Sequence, residues 1–327
     1  MNCPRCQGST RRFGFNRNGS QRYRCDSCHL TFTDEATRPR DGRRLSEDRE
    51  VMALRHLLEG NSVRSTERLL EIHRDTILDA MVRAGEGCQR FLEGLRHLPA
   101  EDVQIDELWA FCHCKERTRV RLGLGEEVGD IWTFLGIERT SKLVLAFHVG
   151  KRTPEDALEF VEKLRRATQP ARFQLSSDGF TPYPGVVDEV FGPNVDFGQI
   201  VKVYGPTAEQ GTAGRYSPGQ VIAVDRWPTI GNPDPDRICT SHAERQNKTL
   251  RMQLRRFTRL TDGHSKKWAN HEAAVALFVG YFNFCRVHST IRQTPAMAAG
   301  IAAHAWSVQE LLDRVRVGYN GHIGTAD

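Results

Sequence analysis

The feature that most constrains this chain is a pair of Cys-x2-Cys knuckles at its start: Cys3, Cys6, Cys25 and Cys28, with eighteen residues between the pairs. That spacing lets four thiolates close as a tetrahedron around a structural Zn2+ ion, one per chain. A segment this short and rich in arginine cannot bury a core without a staple, so residues 1–38 are expected to form a zinc ribbon. Its loop carries Arg11, Arg12, Arg17, Arg22 and Arg24, guanidiniums suited to phosphate oxygens. Asn18-Gly19 fits a hairpin turn at the tip. Cys112, His113 and Cys114 do not form a second site, because residues i and i+2 of a strand share a face while i+1 points away.

The net charge of +5 is unevenly placed: residues 1–44 hold ten arginines against four acids, +6, which leaves −1 for the rest. A second basic cluster, Arg245, Lys248, Arg251, Arg255, Arg256, Arg259, Lys266 and Lys267, faces one acid, Asp262. Two separated basic regions suit a polyanion that touches the protein twice, although charge runs are also ordinary solvated faces. The longest apolar run, 273–284, has 12 residues, where a membrane span needs ~20. Nine cysteines without a secretion signal argue for metal ligation or buried thiols over disulfides. The expectation is a soluble, cytoplasmic protein with no membrane partner.

Past a polar linker, apolar positions recur at helical spacing from 47 to about 96 in three pieces, with breaks at Gly60-Asn61 and Ile72-His73. Residues 42–97 read as a helix-turn-helix DNA-binding domain: a support helix over 47–59, a helix over 62–72, and one over 74–83 that opens with Arg74, Asp75 and Thr76. An ordinary three-helix packing unit gives the same periodicity. Its position behind a basic ribbon favours DNA, with Arg74 and Thr76 as contacts.

From 100 to 302 the texture turns to strands over 103–111, 131–137, 143–149 and 171–177, an amphipathic helix over 154–168, a long loop over 205–237 holding a strand-like piece at 221–227, and helices from 240. Three acids there sit awkwardly. Asp106 lies in an apolar strand where a bare carboxylate is costly to bury, Asp178 ends a strand, and Glu244 occupies the first turn of a helix. Each has an ordinary explanation: an arginine partner, a turn dipeptide, a capping box with Ser241. Together they follow the order that an RNase H-like sheet gathers at one point. Two Mg2+ or Mn2+ ions would neutralise such a cluster and clamp the attacking and leaving oxygens of a phosphoryl transfer. Glu244, Asn247, Lys248 and Arg251 share a helical stripe expected to face DNA, beside an apolar stripe of Leu250, Leu254 and Phe257.

At these residues the chain resembles the DDE transposases of the insertion-sequence-one family. The matching stretches are Arg22-Tyr23-Arg24-Cys25, the helical segment from Gly60-Asn61, Asp106-Glu107-Leu108-Trp109, Ser177-Asp178-Gly179, Glu244-Arg245-Gln246-Asn247 running on to Arg251, Phe282-Asn283-Phe284-Cys285-Arg286-Val287-His288 and Thr294-Pro295-Ala296. The resemblance implies that Asp106, Asp178 and Glu244 are the metal-binding triad. It implies that the N-terminal modules bind double-stranded DNA at terminal inverted repeats, and that the active form is a homo-oligomer, at least a dimer, on paired ends beside target DNA. A bacterial or archaeal, nucleoid-associated setting follows. Familiar members encode the two halves in overlapping frames, whereas this chain holds both in one. The expected class is thus multidomain α/β, a four-cysteine zinc ribbon, a helix-turn-helix and an RNase H-like domain with a mixed sheet flanked by helices, ending in a tail over 303–327. The competing readings are a catalytically silent DNA-binding regulator or domesticated transposase, and a nuclease that cuts without joining.

Overall fold

The computed structural model describes residues 2–16, 21–33, 45–205, 221–258 and 261–316. Strands β1 (Thr10–Phe15), β2 (Gln21–Cys25) and β3 (Thr31–Thr33) form a small antiparallel sheet. Among its described residues only Cys3 and Cys25 are buried. The thiols are the core of this unit, as a chain without an apolar centre requires.

Three helices follow: α1 (Glu47–Leu58), α2 (Val63–Leu70) and α3 (Arg74–Gly94). The Ser62 hydroxyl caps α2 by accepting from the Ser65 N–H, and Glu71, in left-handed backbone (φ 53°), ends it. Helix α3 runs well beyond the expected 74–83, because its inward positions stay apolar through Ala84, Cys88, Phe91 and Leu92.

The remaining elements are β4 (Asp102–Cys112), α4 (Glu116–Leu122), β5 (Gly129–Glu138), β6 (Val144–Gly150), α5 (Pro154–Ala167), β7 (Phe173–Asp178), α6 (Tyr183–Phe191), β8 (Val195–Tyr204), β9 (Val221–Ile230), α7 (Ser241–Gln253), α8 (Trp268–Phe284), α9 (Pro295–Ala298) and α10 (Val308–Arg316). A six-stranded mixed sheet has the order β6-β5-β4-β7-β8-β9. Strands β4, β7 and β8 run parallel; β5, β6 and β9 are antiparallel to their neighbours. Helices cover both faces, so β4 is buried almost throughout and does not alternate. Ile105 packs toward α5, near Gly136 and Leu164. Gln104 points the other way, where its side-chain oxygen accepts from the backbone N–H groups of His242 (2.8 Å) and Ala243 (3.4 Å) at the start of α7.

Helix α8 is apolar all round and lies inside the molecule. Its Asn283 accepts from the Val144 N–H (3.0 Å) and donates to the Val144 carbonyl (2.9 Å), occupying backbone groups on the free edge of β6. On its other side α8 meets α3 so closely that a Cβ at Gly85 would lie 2.1 Å from the Ala273 carbonyl oxygen. One apolar cluster runs from Leu45 to Val315, so the three N-terminal helices and the sheet share a core. The residues expected to be a tail differ from that reading through 316. Leu311, Leu312 and Val315 of α10 are buried, and Arg316 pairs with the buried Glu50 of α1 (2.8 Å). No helix of the described residues is long and apolar enough to cross a membrane.

Candidate functional site

The four N-terminal cysteines form one group whose sulfurs all lie within 4.8 Å of one another. Cys3 and Cys28 are 3.6 Å apart at sulfur, Cys6 and Cys25 3.5 Å. Four sulfurs at ~2.3 Å from a common centre would be separated by roughly 3.8 Å, so the cluster has the size of a metal tetrahedron and not of disulfides. The Cys28 backbone N–H holds the Cys25 thiol down at about 6, while Cys6, which shares a hydrogen bond with Cys25, is pushed up to about 12, so the pair shares a proton in the absence of a metal.

The second group lies at the sheet's centre. Asp106 on β4 and Asp178 on β7 each stand two residues past the parallel Gln104–Ser176 pair, which brings both side chains to one level. Oxygens of Asp106, Glu107 and Asp178 all lie within 4.8 Å of one another. Glu244, in the first turn of α7, lines the same cavity of about 430 Å³ together with Asp106, Asp178, Arg152, Lys202 and Thr240. Its carboxylate is outside the close group, because it accepts from Thr240 Oγ1 (2.8 Å) and pairs with Lys202. The capping box that would have been the ordinary explanation of Glu244 is not formed: α7 is entered through Thr240, and no side chain caps it.

Each carboxylate has a distinct setting. Burial, and next the charge of Asp178, push Asp106 up to about 7, against a hydrogen bond from Asn247 Nδ2 (2.8 Å). The same two causes push Glu107 up to about 7. Its oxygens are held by the Tyr183 hydroxyl and by Arg152 Nη2 at 3.1 Å. The buried Tyr183 hydroxyl is raised well above its usual range by burial and by Glu107, so it stays a donor. Asp178 accepts from the Phe180 N–H (3.0 Å) and lies 3.6 Å from Arg152, whose guanidinium rests over the Phe180 ring (4.4 Å) and the Trp132 ring (4.9 Å). Partial burial works upward on Glu244, yet Lys202 and then Thr240 hold it below the usual carboxylate range.

Sequence reasoning missed Glu107, Arg152, Tyr183 and Lys202. An acid adjacent to Asp106 looks outward on an alternating strand. On a strand covered on both faces it has no outside, and that doubly apolar run was the available signal.

Of the residues expected at DNA, Asn247 is buried and donates to Asp106. The inward face of α7 is Ala243, Gln246, Asn247 and Leu250, which leaves Glu244 and Lys248 exposed. Arg251 is half-buried, with one guanidinium nitrogen enclosed. Arg74 is exposed at the start of α3 and Thr76 is half-buried there. In the small sheet Arg12 is exposed, Arg11 lies 3.5 Å from Asp26, and Arg22 and Arg24 rest over the Phe13 ring at 5.6 and 5.3 Å. Arg17 lies outside the described residues. A third group, His148, Asp156 and Glu159, already contains a cation: Lys163 Nζ is 3.1 Å from Glu159 and 3.3 Å from His148 Nδ1.

No protein-family model matches the chain, and no curated protein matches it.

Proposed function

We propose that this chain is a DDE transposase: an enzyme that binds the terminal inverted repeats of its element, hydrolyses DNA at those ends and joins the exposed 3′ hydroxyls to target DNA. The observation that carries the reading is the meeting of Asp106 and Asp178 from adjacent parallel strands at a cavity that Glu244 also lines. The sheet order supports an RNase H-like domain, and the three successive helices α1 to α3 support the helix-turn-helix reading.

The residues suit hard divalent cations. Burial, and next the charge of Asp178, displace Asp106 upward, so cations at this cluster would favour its charged form, and oxygen donors are what Mg2+ or Mn2+ takes. Asp106, Asp178 and Glu244 would hold two such ions. When bound, they would supply a Lewis acid at each side of the scissile phosphate. Asn247 orients the Asp106 carboxylate, Gln104 fixes the start of α7 and with it Glu244, and Arg152 offers a braced guanidinium to a phosphate oxygen. Zn2+ is the ion for the four cysteines, and the ribbon arginines and Arg74 would contact phosphates. On paired ends the protein would act as an oligomer, at the nucleoid.

The test is incubation of the purified protein with its flanking DNA and Mg2+, scored for cleavage and strand transfer. Asp106→Ala is expected to abolish cleavage and leave binding intact; undiminished cleavage would refute the triad. A second reading, a catalytically silent DNA-binding protein, is favoured by the Lys202 contact that engages Glu244. Binding by the unaltered protein with no cut product at any divalent concentration would select it.

A further inference from the structure

We propose that a second cavity, between the N-terminal helices and the segment joining α7 to α8, binds the phosphate group of a nucleotide. The site is separate from the carboxylates and does not rest on the transposase reading. Its volume is about 380 Å³, and its lining includes Arg64, Arg74, Arg255, Arg256 and Lys266 with a single acid, Asp262.

Two of these cations are already paired: Arg64 with Glu67 at 2.9 Å and Arg74 with Asp75 at 3.3 Å. Among the described residues no carboxylate pairs with Arg255, Arg256 or Lys266. Arg256 is the telling one. Among the described residues its guanidinium meets only neutral partners, the Ser265 hydroxyl at 3.2 Å and the Met81 sulfur at 3.2 Å. Ser265 is buried and bonded to the fully buried His271 (Oγ to Nδ1, 2.8 Å). Burial, and then Arg256 itself, push His271 down to about 3, so this chain of groups supplies no counter-charge. A half-buried guanidinium that faces no anion among the described residues is costly, and here burial pushes Arg256 down to about 10.

A phosphate oxygen pair matches the guanidinium fork, and Arg255 and Lys266 add two cations beside it. Leu57, Leu78, Met81 and Leu277 form an apolar part of the lining that a sugar or base can cover. Such a nucleotide can belong to a DNA strand or be free in solution. The chemistry recognised is the same.

The experiment is thermal unfolding of the full chain in inorganic phosphate against chloride at matched ionic strength, repeated with a deoxynucleoside monophosphate. Phosphate is expected to raise the midpoint of the unaltered protein with increasing concentration. Arg256→Met is expected to lose that response while keeping a chloride midpoint no lower than that of the unaltered protein. Because a change at Arg256 can disturb folding, the rim variant Arg255→Ala/Lys266→Ala provides an independent arm, with phosphate affinity expected to fall about tenfold or more. Duplex binding without divalent ions separates the sources. If a strand supplies the phosphate, the rim variant binds duplex more weakly, with a salt slope shallower by about one or two. If a free nucleotide does, duplex affinity is unchanged and the monophosphate response is lost. Equal midpoints in phosphate, monophosphate and chloride with unaltered duplex affinity would overturn the proposal.

Discussion

The side-chain amide of Asn247 donates to the Asp106 carboxylate at 2.8 Å, joining α7 to β4 across 141 positions of sequence. This bond favours the charged form of Asp106. Asn247→Leu is therefore expected to raise the Asp106 pKa further and to reduce metal-dependent cleavage near neutral pH by about tenfold to a hundredfold. The pH–rate profile should move to higher pH. An unmoved profile would show that the bond orients nothing.

Asp106 in the folded protein titrates at about 7, above its ordinary 3.8, so it contributes stability below the unfolded value and loses it as pH rises through 7. Buried histidines such as His271, with depressed values, slope the other way below their usual 6.5. The clean readout is therefore a difference between two proteins. In Mg2+-free buffer the lead of Asp106→Asn over the unaltered chain should widen between pH 5 and pH 8 by on the order of 5 °C. Saturating Mg2+ should remove the variant's lead. A constant gap from pH 5 to 8 would mean Asp106 is not displaced.

Cys25 is buried at the end of β2, and the only other buried residue among those described in this N-terminal unit is Cys3. Cys25→Ser is expected to lower zinc content from one ion per chain toward none and to weaken DNA binding with it. Metal analysis checks the first and a binding isotherm the second. Retention of one zinc per chain would remove Cys25 from the ligand set.

Gly85→Val puts side-chain atoms where the Ala273 carbonyl already stands, against the backbone of a buried helix that cannot swing aside. The expected loss is about 2–3 kcal/mol in urea unfolding. Gly94→Ala, with nothing within 4 Å, should be neutral or slightly stabilising. Equal behaviour of the two variants would contradict the close approach of α3 and α8.

Much of this architecture is legible in the chain because its chemistry is local. The knuckles announce themselves by spacing, and the apolar run around Asp106 marks a central strand. Strand β8 was not legible, since Gly198 and Lys202 interrupt its pattern. Gly198 is small because the Ile238 side chain occupies the space a Cβ would need, 2.4 Å away, and Lys202 is polar because it meets Glu244. Helix α6 hides behind Pro182, Pro184 and Gly185, which read as a turn until proline is recognised as a first-turn residue. The inward turn of Asn247 was missed for a related reason: helical periodicity gives the stripe but not which side of it a sheet will cover.

The intimacy of α3 with α8 bears on where the chain can be cut. A shortened product ending near residue 97 would carry the cysteine unit and three helices, yet Ala84, Cys88 and Phe91 would be stripped of their cover. That truncated polypeptide would need a surrogate to cover the face that α8 covers here, and another copy of itself is the surrogate nearest to hand.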